Sequence, residues 1–491
     1  MFNLIVNGIK GVMNPSHLIF LVLATLIGLL GGALPGISGT MLVVILLPLT
    51  YGMEPSQAFL FLAATYTVVS FSGSVSAILF RTPGAPEAVA TVLDGYPMSK
   101  QGKTGEALGV SLMSSTFGGI IGALVLMFLT PFLAKIALKF SAPEYFALAF
   151  MGLSVVASLS GKELTKGLIG VSLGLFVSTI GIDALTGTQR YTFNNPMLAS
   201  GIQLIPVIIG LFSIGEYINQ SAIKRKIETV STNVAIKLMD TKLVKELMPT
   251  WLRSVVIGLF IGILPGIGAT TASMLSYSEE VRWSKDPESY GKGNPKGIAA
   301  SESSNNAAAM GTLVPLLSLG IPGGATAAVM IGAFILHGMQ PGPSMFREQI
   351  DIMYIIFVGL LLSNIFMYFM AFPFVNVFSK ISKVPYALIG PLIILFCVIG
   401  TFAVRNSTFD LWVMFIFGVI GYIFEKIKFP VTPILLGVVL GPIAESQFRR
   451  SLELSNGSLL IFFTKPISCV LMIIAIIMLL VPIIQKFIKK K

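Results

Sequence analysis

The residues best placed to do chemistry in this chain belong to a motif written twice, 230 residues apart. The first copy is Gly28-Leu-Leu-Gly-Gly-Ala-Leu34-Pro35-Gly36-Ile37-Ser38-Gly39-Thr40, and the second is Gly258-Leu-Phe-Ile-Gly-Ile-Leu264-Pro265-Gly266-Ile267-Gly268-Ala269-Thr270. A second Pro-Gly element follows each copy. The first is Arg81-Thr82-Pro83-Gly84-Ala85-Pro86, with Leu93-Asp94-Gly95-Tyr96-Pro97-Met98 after it; the second is Leu319-Gly320-Ile321-Pro322-Gly323-Gly324-Ala325-Thr326, with Leu336-His337-Gly338-Met339-Gln340-Pro341-Gly342 after it. From Pro35 to Pro83 is 48 residues and from Pro265 to Pro322 is 57. The hydrophilic insert 281–297 absorbs the difference, so the repeat is a two-motif unit.

Each Pro-Gly interrupts an apolar run. Proline removes a backbone donor, and glycine admits left-handed or extended geometry. In a membrane such a break leaves backbone N–H and C=O groups unpaired, so it must line a polar cavity or be buried in protein. The half-helix that restarts aims its N–H groups and positive dipole end at that cavity, which suits an anion without any Lys or Arg. Candidate substrate-binding positions are Gly36, Ser38, Gly39, Thr40, Thr82, Pro83, Gly84, Gly266, Gly268, Thr270, Gly323, Gly324 and Thr326. The Thr271 hydroxyl adds a donor nearby. A packing kink is the ordinary explanation of one such break; four, with hydroxyls at matching offsets, favour a site. Paired interruptions at corresponding points of two halves point to the substrate site of a transporter.

The second constellation is Ser301-Glu302-Ser303-Ser304-Asn305-Asn306. Glu302 and Asn306 share a helix face, and the Asn amides can donate to a carboxylate or coordinate a hard cation. Asn305 and Asn306 join the substrate-binding candidates. Glu302, Ser303, Asn305 and Asn306 are candidates for a coupling ion, sodium or a proton; the alternative for Glu302 is a helix start in water. Arg81, Glu87 and Asp94 flank the first half's second break, and Asp94-Gly95 reads as a turn. His337 reads as structural. Asp183, Arg190, Glu445, Arg449 and Arg450 read as loop charges.

The elements that position these residues follow from composition. The 491 residues are 54% hydrophobic and 11% charged, with a mean hydropathy of +0.87. Apolar runs of 18 or more recur, as at 18–34, 352–372 and 467–485. We expect an all-α polytopic membrane protein with roughly 10–14 transmembrane segments, including broken or re-entrant helices. No soluble domain is expected. The two halves are expected to be pseudo-symmetric and inverted: 1–218 with breaks near 35 and 83, and 251–491 with breaks near 265 and 322. A basic connector, 219–250, lies between them on the membrane surface, with Ile223, Ile227, Val230, Val234, Ile236 and Leu238 on an apolar face. The net charge of +11 comes from 33 basic and 22 acidic residues. It reads as positive-inside bias rather than nucleic-acid binding. Lys224-Arg225-Lys226, Lys237, Lys242, Lys245, Arg282, Lys285, Lys292, Lys296, Lys486 and Lys489–Lys491 are assigned to the cytoplasm. Cys397 and Cys469 lie in apolar runs and read as small hydrophobes. The first apolar stretch lacks a small-residue cleavage site and reads as a retained span.

Several blocks resemble the large membrane subunit of the tripartite tricarboxylate transporter family over the full length. They are Leu46-Leu-Pro-Leu-Thr-Tyr-Gly-Met53, Thr82-Pro-Gly with Leu93-Asp-Gly-Tyr-Pro-Met98, Leu264-Pro-Gly-Ile-Gly-Ala-Thr270, Glu302 through Asn305-Asn306-Ala-Ala, and Gly320-Ile-Pro-Gly with His337-Gly-Met-Gln-Pro-Gly-Pro343. Ser38-Gly39-Thr40 and Ser301 depart from the Gly-Pro type sequence and the Pro expected there. The resemblance implies a secondary transporter of the bacterial inner membrane for citrate-like or other small organic carboxylates, driven by a cation gradient. It also implies a small membrane subunit and a periplasmic substrate-binding protein as partners. A homodimer is a further expectation. No cofactor, no enzymatic activity and no nucleic acid are expected.

Two other classes compete. A passive anion channel would share the broken helices but would conduct without saturation. Gly36-Ile-Ser38-Gly39 also fits the nucleophile motif of rhomboid proteases, which need a His base on another span. Only His17 and His337 exist, and the second copy carries Gly268 where the first has Ser38. No Gly-x-x-x-x-Gly-Lys loop supports ATP-driven transport.

Overall fold

The computed structural model describes residues 1–34, 37–159, 164–222, 235–381 and 386–488. The architecture is all-α. Helices α1 (Phe2–Val12), α2 (Pro15–Ala33), α3 (Gly39–Leu46), α4 (Pro55–Phe80), α5 (Val89–Lys100) and α6 (Thr104–Ala137) form the first run. Then come α7 (Ala142–Leu159), α8 (Leu164–Ser178), α9 (Pro196–Ala199), α10 (Leu204–Ile208) and α11 (Gly215–Ala222). The second half holds α12 (Thr241–Ile263), α13 (Gly268–Trp283), α14 (Pro295–Leu319), α15 (Ala325–Leu336), α16 (Met345–Glu348) and α17 (Ile350–Ile381). It ends with α18 (Tyr386–Arg405), α19 (Thr408–Lys426), α20 (Thr432–Leu454), α21 (Ile461–Thr464) and α22 (Pro466–Ile488). Among the described residues six helices are long and apolar enough to cross a membrane, and several shorter apolar ones join them. The lone sheet among them is a two-stranded hairpin, β1 (Gly181–Ile182) and β2 (Gln189–Arg190), with Gly181 opposite Arg190.

Local chemistry explains the boundaries. Asn14 caps α2 by accepting from Ser16 N, with Pro15 in the first turn. Asn294 caps α14 in the same way. Helices α4 and α14 are buried along almost their whole length and form the centre. Their many hydroxyls do not contradict this, because each is paired: Ser72 Oγ donates to Gly28 O at 2.7 Å, and Ser74 shares a 2.5 Å hydrogen bond with Ser111 of α6. Around them, small residues let helices approach closely. The backbone of α14 packs on Gly118 and Gly122 of α6 and on Gly258 and Gly262 of α12.

The molecule has two polar ends. At one, the loops are tied by Gln101 Nε2 donating to Lys292 O at 2.7 Å, and by the pairs Lys237–Glu106 at 2.7 Å and Lys296–Glu246 at 3.1 Å. We call this the basic end. At the far end, His337 partners Thr50 at 3.2 Å and Arg405 donates to Ser200 at 3.2 Å. The pair α2–α3 starts and finishes at the far end, where His17 meets Ser56 at 2.9 Å and Gln57 reaches Ser16. The pair α12–α13 starts and finishes at the basic end, where Thr250 and Arg253 of α12 bond Glu280 of α13 at 3.0 and 2.7 Å.

The structure changes two sequence expectations. Asp94 lies inside α5, not in a turn, because it accepts from Tyr277 OH, Gly293 N and Asn294 N, each at 2.8 Å. The supposed loop charges pair with one another at the far end. Arg449 of α20 bonds Asp183 at 2.6 Å, and Arg190 bonds Glu445 at 2.7 Å. Arg449, and then the Leu185 N–H, hold the Asp183 carboxyl well below the usual carboxylate range. Residues 223–234, with Lys224-Arg225-Lys226, and Lys489–Lys491 lie outside the described residues; 235–240 is non-helical, and α12 begins at Thr241.

Candidate functional site

The breaks have matching geometry in the two halves. Helix α2 stops at Leu34 (φ −79°, ψ 120°), whose N–H bonds Gly31 O at 3.1 Å; α12 stops at Leu264 (φ −72°, ψ 124°), whose N–H bonds Ile261 O at 3.2 Å. After the second break of each half the chain folds back on the helix it has just left. Gly84 N bonds Gly73 O at 3.0 Å and Gly323 N bonds Thr312 O at 3.3 Å, a reach of 11 residues in both. A side chain at Gly84 would collide with Gly32 O, and one at Gly323 with Gly262 O, so glycine is required twice for the same close approach. Three residues earlier each chain turns left-handed, at Gly320 (φ 75°) and at Arg81 (φ 56°).

Chain restarts from all four breaks converge on one cavity of about 760 Å³. Ser38 and Thr40 line it from the first restart, where the Ser38 hydroxyl caps α3 by accepting from Met41 N at 3.1 Å. Thr82, Pro83, Gly84 and Glu87 come from the second, Gly266, Gly268 and Thr270 from the third, and Gly324 and Thr326 from the fourth. Two contacts join the halves here: Thr40 and Thr326 share a 2.8 Å hydrogen bond, and Ser273 of α13 donates to Glu87 O at 2.8 Å. Within the second half, Gly266 N bonds Gly323 O at 3.0 Å. Tyr66 of α4 adds its hydroxyl, near those of Thr312 and Thr326. The remaining wall is Leu211 and Phe212 of a π-helical turn (209–214), Glu216 and Gln220 of α11, Gly421 and Glu425 of α19, and Phe429–Thr432. The cavity lining contains no Lys, Arg or His.

Ten of the residues expected to bind substrate line this cavity: Ser38, Thr40, Thr82, Pro83, Gly84, Gly266, Gly268, Thr270, Gly324 and Thr326. Gly39 and Gly323 sit directly behind it, and Thr271 bonds Ile267 O instead. Gly36, with Pro35, lies outside the described residues. Glu302, Ser303, Asn305 and Asn306 are fully buried within α14 and do not line it. Glu302 accepts from Thr91 and, at 2.8 Å, from Ser115; Ser303 bonds Ala299 O. Sequence reasoning missed Tyr66, Glu216, Glu425 and Thr432, and gave Glu87 a minor place. Superimposing the two second breaks exposes Glu87, which stands three residues after Gly84 as Thr326 stands three after Gly323.

Neither histidine reaches Ser38: His337 partners Thr50, and His17 partners Ser56. No cluster of three His, Cys, Asp or Glu suited to a metal occurs among the described residues.

Comparison with known proteins gives the same family. A model of the tripartite tricarboxylate transporter TctA family matches residues 18–436. An uncharacterized 52.8 kDa protein of Agrobacterium vitis, from the TAR-I ttuC' 3' region, is 33% identical over 484 residues, covering 99% of this chain and 96% of its own. A second uncharacterized protein of Agrobacterium vitis, from the TAR-II ttuC' 3' region, is 36% identical over 231 residues, 46% of this chain and 96% of that protein. No solved structure matches.

Proposed function

The chain belongs to the tripartite tricarboxylate transporter TctA family, and from that premise we propose that it is the large transmembrane subunit of a secondary transporter importing citrate-like or other small organic carboxylates. It works in the bacterial inner membrane with a small membrane subunit and a periplasmic substrate-binding protein, and a cation gradient drives it. One observation carries this reading: four helix restarts from two halves meet at one 760 Å³ cavity furnished with hydroxyls and free of cationic side chains. The volume is that of a ligand pocket. Backbone N–H groups and hydroxyls solvate carboxylates by donating to them, and helix dipoles add a fixed positive potential. A carrier built this way moves its empty site without a buried Lys or Arg.

The opposite entry ends of α2–α3 and α12–α13 support inverted repeats. The basic end is the cytoplasmic side by the positive-inside rule. Toward the far end, Gly332 packs against Leu47 and Ile208, all buried.

Uptake of a labelled carboxylate panel in proteoliposomes tests this, with both partner proteins supplied and sodium and proton gradients imposed separately. Saturable, gradient-driven accumulation is expected. Flux that never saturates and ignores both gradients would sink the carrier and bring the channel forward.

A further inference from the structure

Behind the cavity, α4, α6, α14 and α17 meet in a polar junction that the four breaks do not use. Its contacts link the four helices to one another. Ser115 of α6 donates to Glu302 Oε2 at 2.8 Å. One turn along α6, Gly119 makes room for the amide of Asn364 on α17. The neighbouring Ser363 shares a 3.5 Å hydrogen bond with Thr67 of α4, and Ser70 O of α4 accepts from Asn305 Nδ2 at 3.1 Å. Asn306 Nδ2 then donates to Asn305 Oδ1 at 3.2 Å and to Glu302 O at 3.0 Å.

Two acceptors stay unmet at this junction. Asn306 Oδ1 and Asn364 Oδ1 have no partner, and both residues are 1% exposed. Their orientation is forced. Each amide nitrogen donates to the carbonyl four residues back, Asn306 to Glu302 O and Asn364 to Leu360 O at 2.8 Å, which turns each oxygen away from its own helix. On α14, Ser303, Ala307 and Met310 face α6 and Asn305 faces α4. Asn306 lies between these directions and points to the gap where α17 packs on both neighbours. A buried amide acceptor without a partner is destabilising unless a ligand meets it. Asn306 stands one turn from Glu302 on α14, and Asn364 packs on Gly119, one turn along α6 from the Ser115 that bonds Glu302. Two amide oxygens and one ionised carboxylate are a hard-oxygen set with a single formal negative charge, which matches a hard monovalent cation.

We propose that this junction binds a sodium ion through Glu302, Asn306 Oδ1 and Asn364 Oδ1, with the hydroxyls of Thr67 and Ser363 at its edge. Its role as the coupling ion rests on the carrier reading; its binding does not. The link to the cavity is short, because Ser70 is one turn from the cavity residue Tyr66 on α4 and bonds its carbonyl at 3.4 Å.

The test is thermal unfolding of the purified full chain in detergent, without substrate, titrated with sodium, potassium or choline chloride. Sodium alone is expected to raise Tm along a saturating curve. Asn306→Leu and Asn364→Leu should each raise the half-saturating sodium concentration about ten- to a hundredfold, while Asn364→Asp, which keeps the oxygen, should not. If a leucine variant fails to fold, Ser363→Ala and binding of ²²Na to the wild type decide the matter. Equal responses to the three salts, or unchanged sodium affinity in both leucine variants, overturn the site. A stabilisation set by pH rather than sodium and lost in Glu302→Gln overturns it in favour of a proton. Sodium binding intact in a protein that moves no carboxylate would sink the carrier reading alone.

Discussion

Thr326→Val probes the cavity with the least disturbance, since valine is close to isosteric with threonine. Thr326 is 6% exposed, opens α15 from the last break, and shares a 2.8 Å hydrogen bond with Thr40 from the first. Losing that neutral bond costs stability about 1 kcal/mol. The loss to a bound carboxylate is larger, because a hydrogen bond to a charged group contributes about 1.5–3 kcal/mol, or roughly 10–150-fold in affinity. KM for uptake in proteoliposomes should therefore rise by about that factor, with Tm lowered by only a few degrees. Thr40→Val should act alike. The double variant should cost less than the sum, because each hydroxyl has already lost its partner in the single variant. Thr25→Val is the control: its hydroxyl bonds Leu21 O within α2, away from the cavity. An unchanged KM in both Thr326→Val and Thr40→Val, with the proteins folded, would refute the assignment of these hydroxyls to the substrate.

Gly84→Ala and Gly323→Ala force a methyl group against a backbone carbonyl; each should cost on the order of 1–3 kcal/mol, read as loss of monodisperse protein in size-exclusion chromatography, and a clear asymmetry between them would count against equivalent breaks. After replacement of Cys397 and Cys469, Thr188→Cys should react with an impermeant maleimide from the face opposite to Lys292→Cys; labelling from one face would contradict the assigned ends. Arg449 lowers the Asp183 carboxyl in the folded protein, so that contribution is complete above the ordinary carboxylate range and disappears as pH falls through the lowered native value. Arg449→Gln should therefore move the acid end of the Tm–pH profile to higher pH, and an unmoved profile would show that the pair is unimportant.

The broken helices were legible in the sequence because their cause is local. A Pro-Gly inside an apolar run stops a helix whatever packs around it, and two copies at matched offsets announced a shared purpose. Residues whose role depends on packing were not legible. Tyr66 sits in an apolar run like many core aromatics, and only the fold shows that its face of α4 meets the cavity. Asn364 is one amide in a 32-residue helix, and its meaning comes from Gly119 of α6 and Thr67 of α4, more than 240 residues away in sequence. Asp94-Gly95 misled for the opposite reason: the local turn preference was real, but three tertiary donors hold Asp94 inside a helix.

The separation between cavity and junction has a physical logic under the proposed mechanism. A carboxylate and a cation placed in one pocket would pair with each other and demand little of the protein. Held apart, each must be solvated by protein oxygens or N–H groups, and the two are coupled only through elements they share. Those elements are α4 and α14. The first carries Tyr66 to the cavity and Thr67 to the junction. The second carries Glu302 and Asn306 to the junction, and its Thr312 carbonyl holds Gly323, behind the cavity, in place. A cation that draws Asn306 and Asn364 together acts directly on the helix that anchors the fourth break, which supplies Gly324 and Thr326. Coupling then needs no charged residue in the cavity, only that the break be correctly seated when the junction is filled.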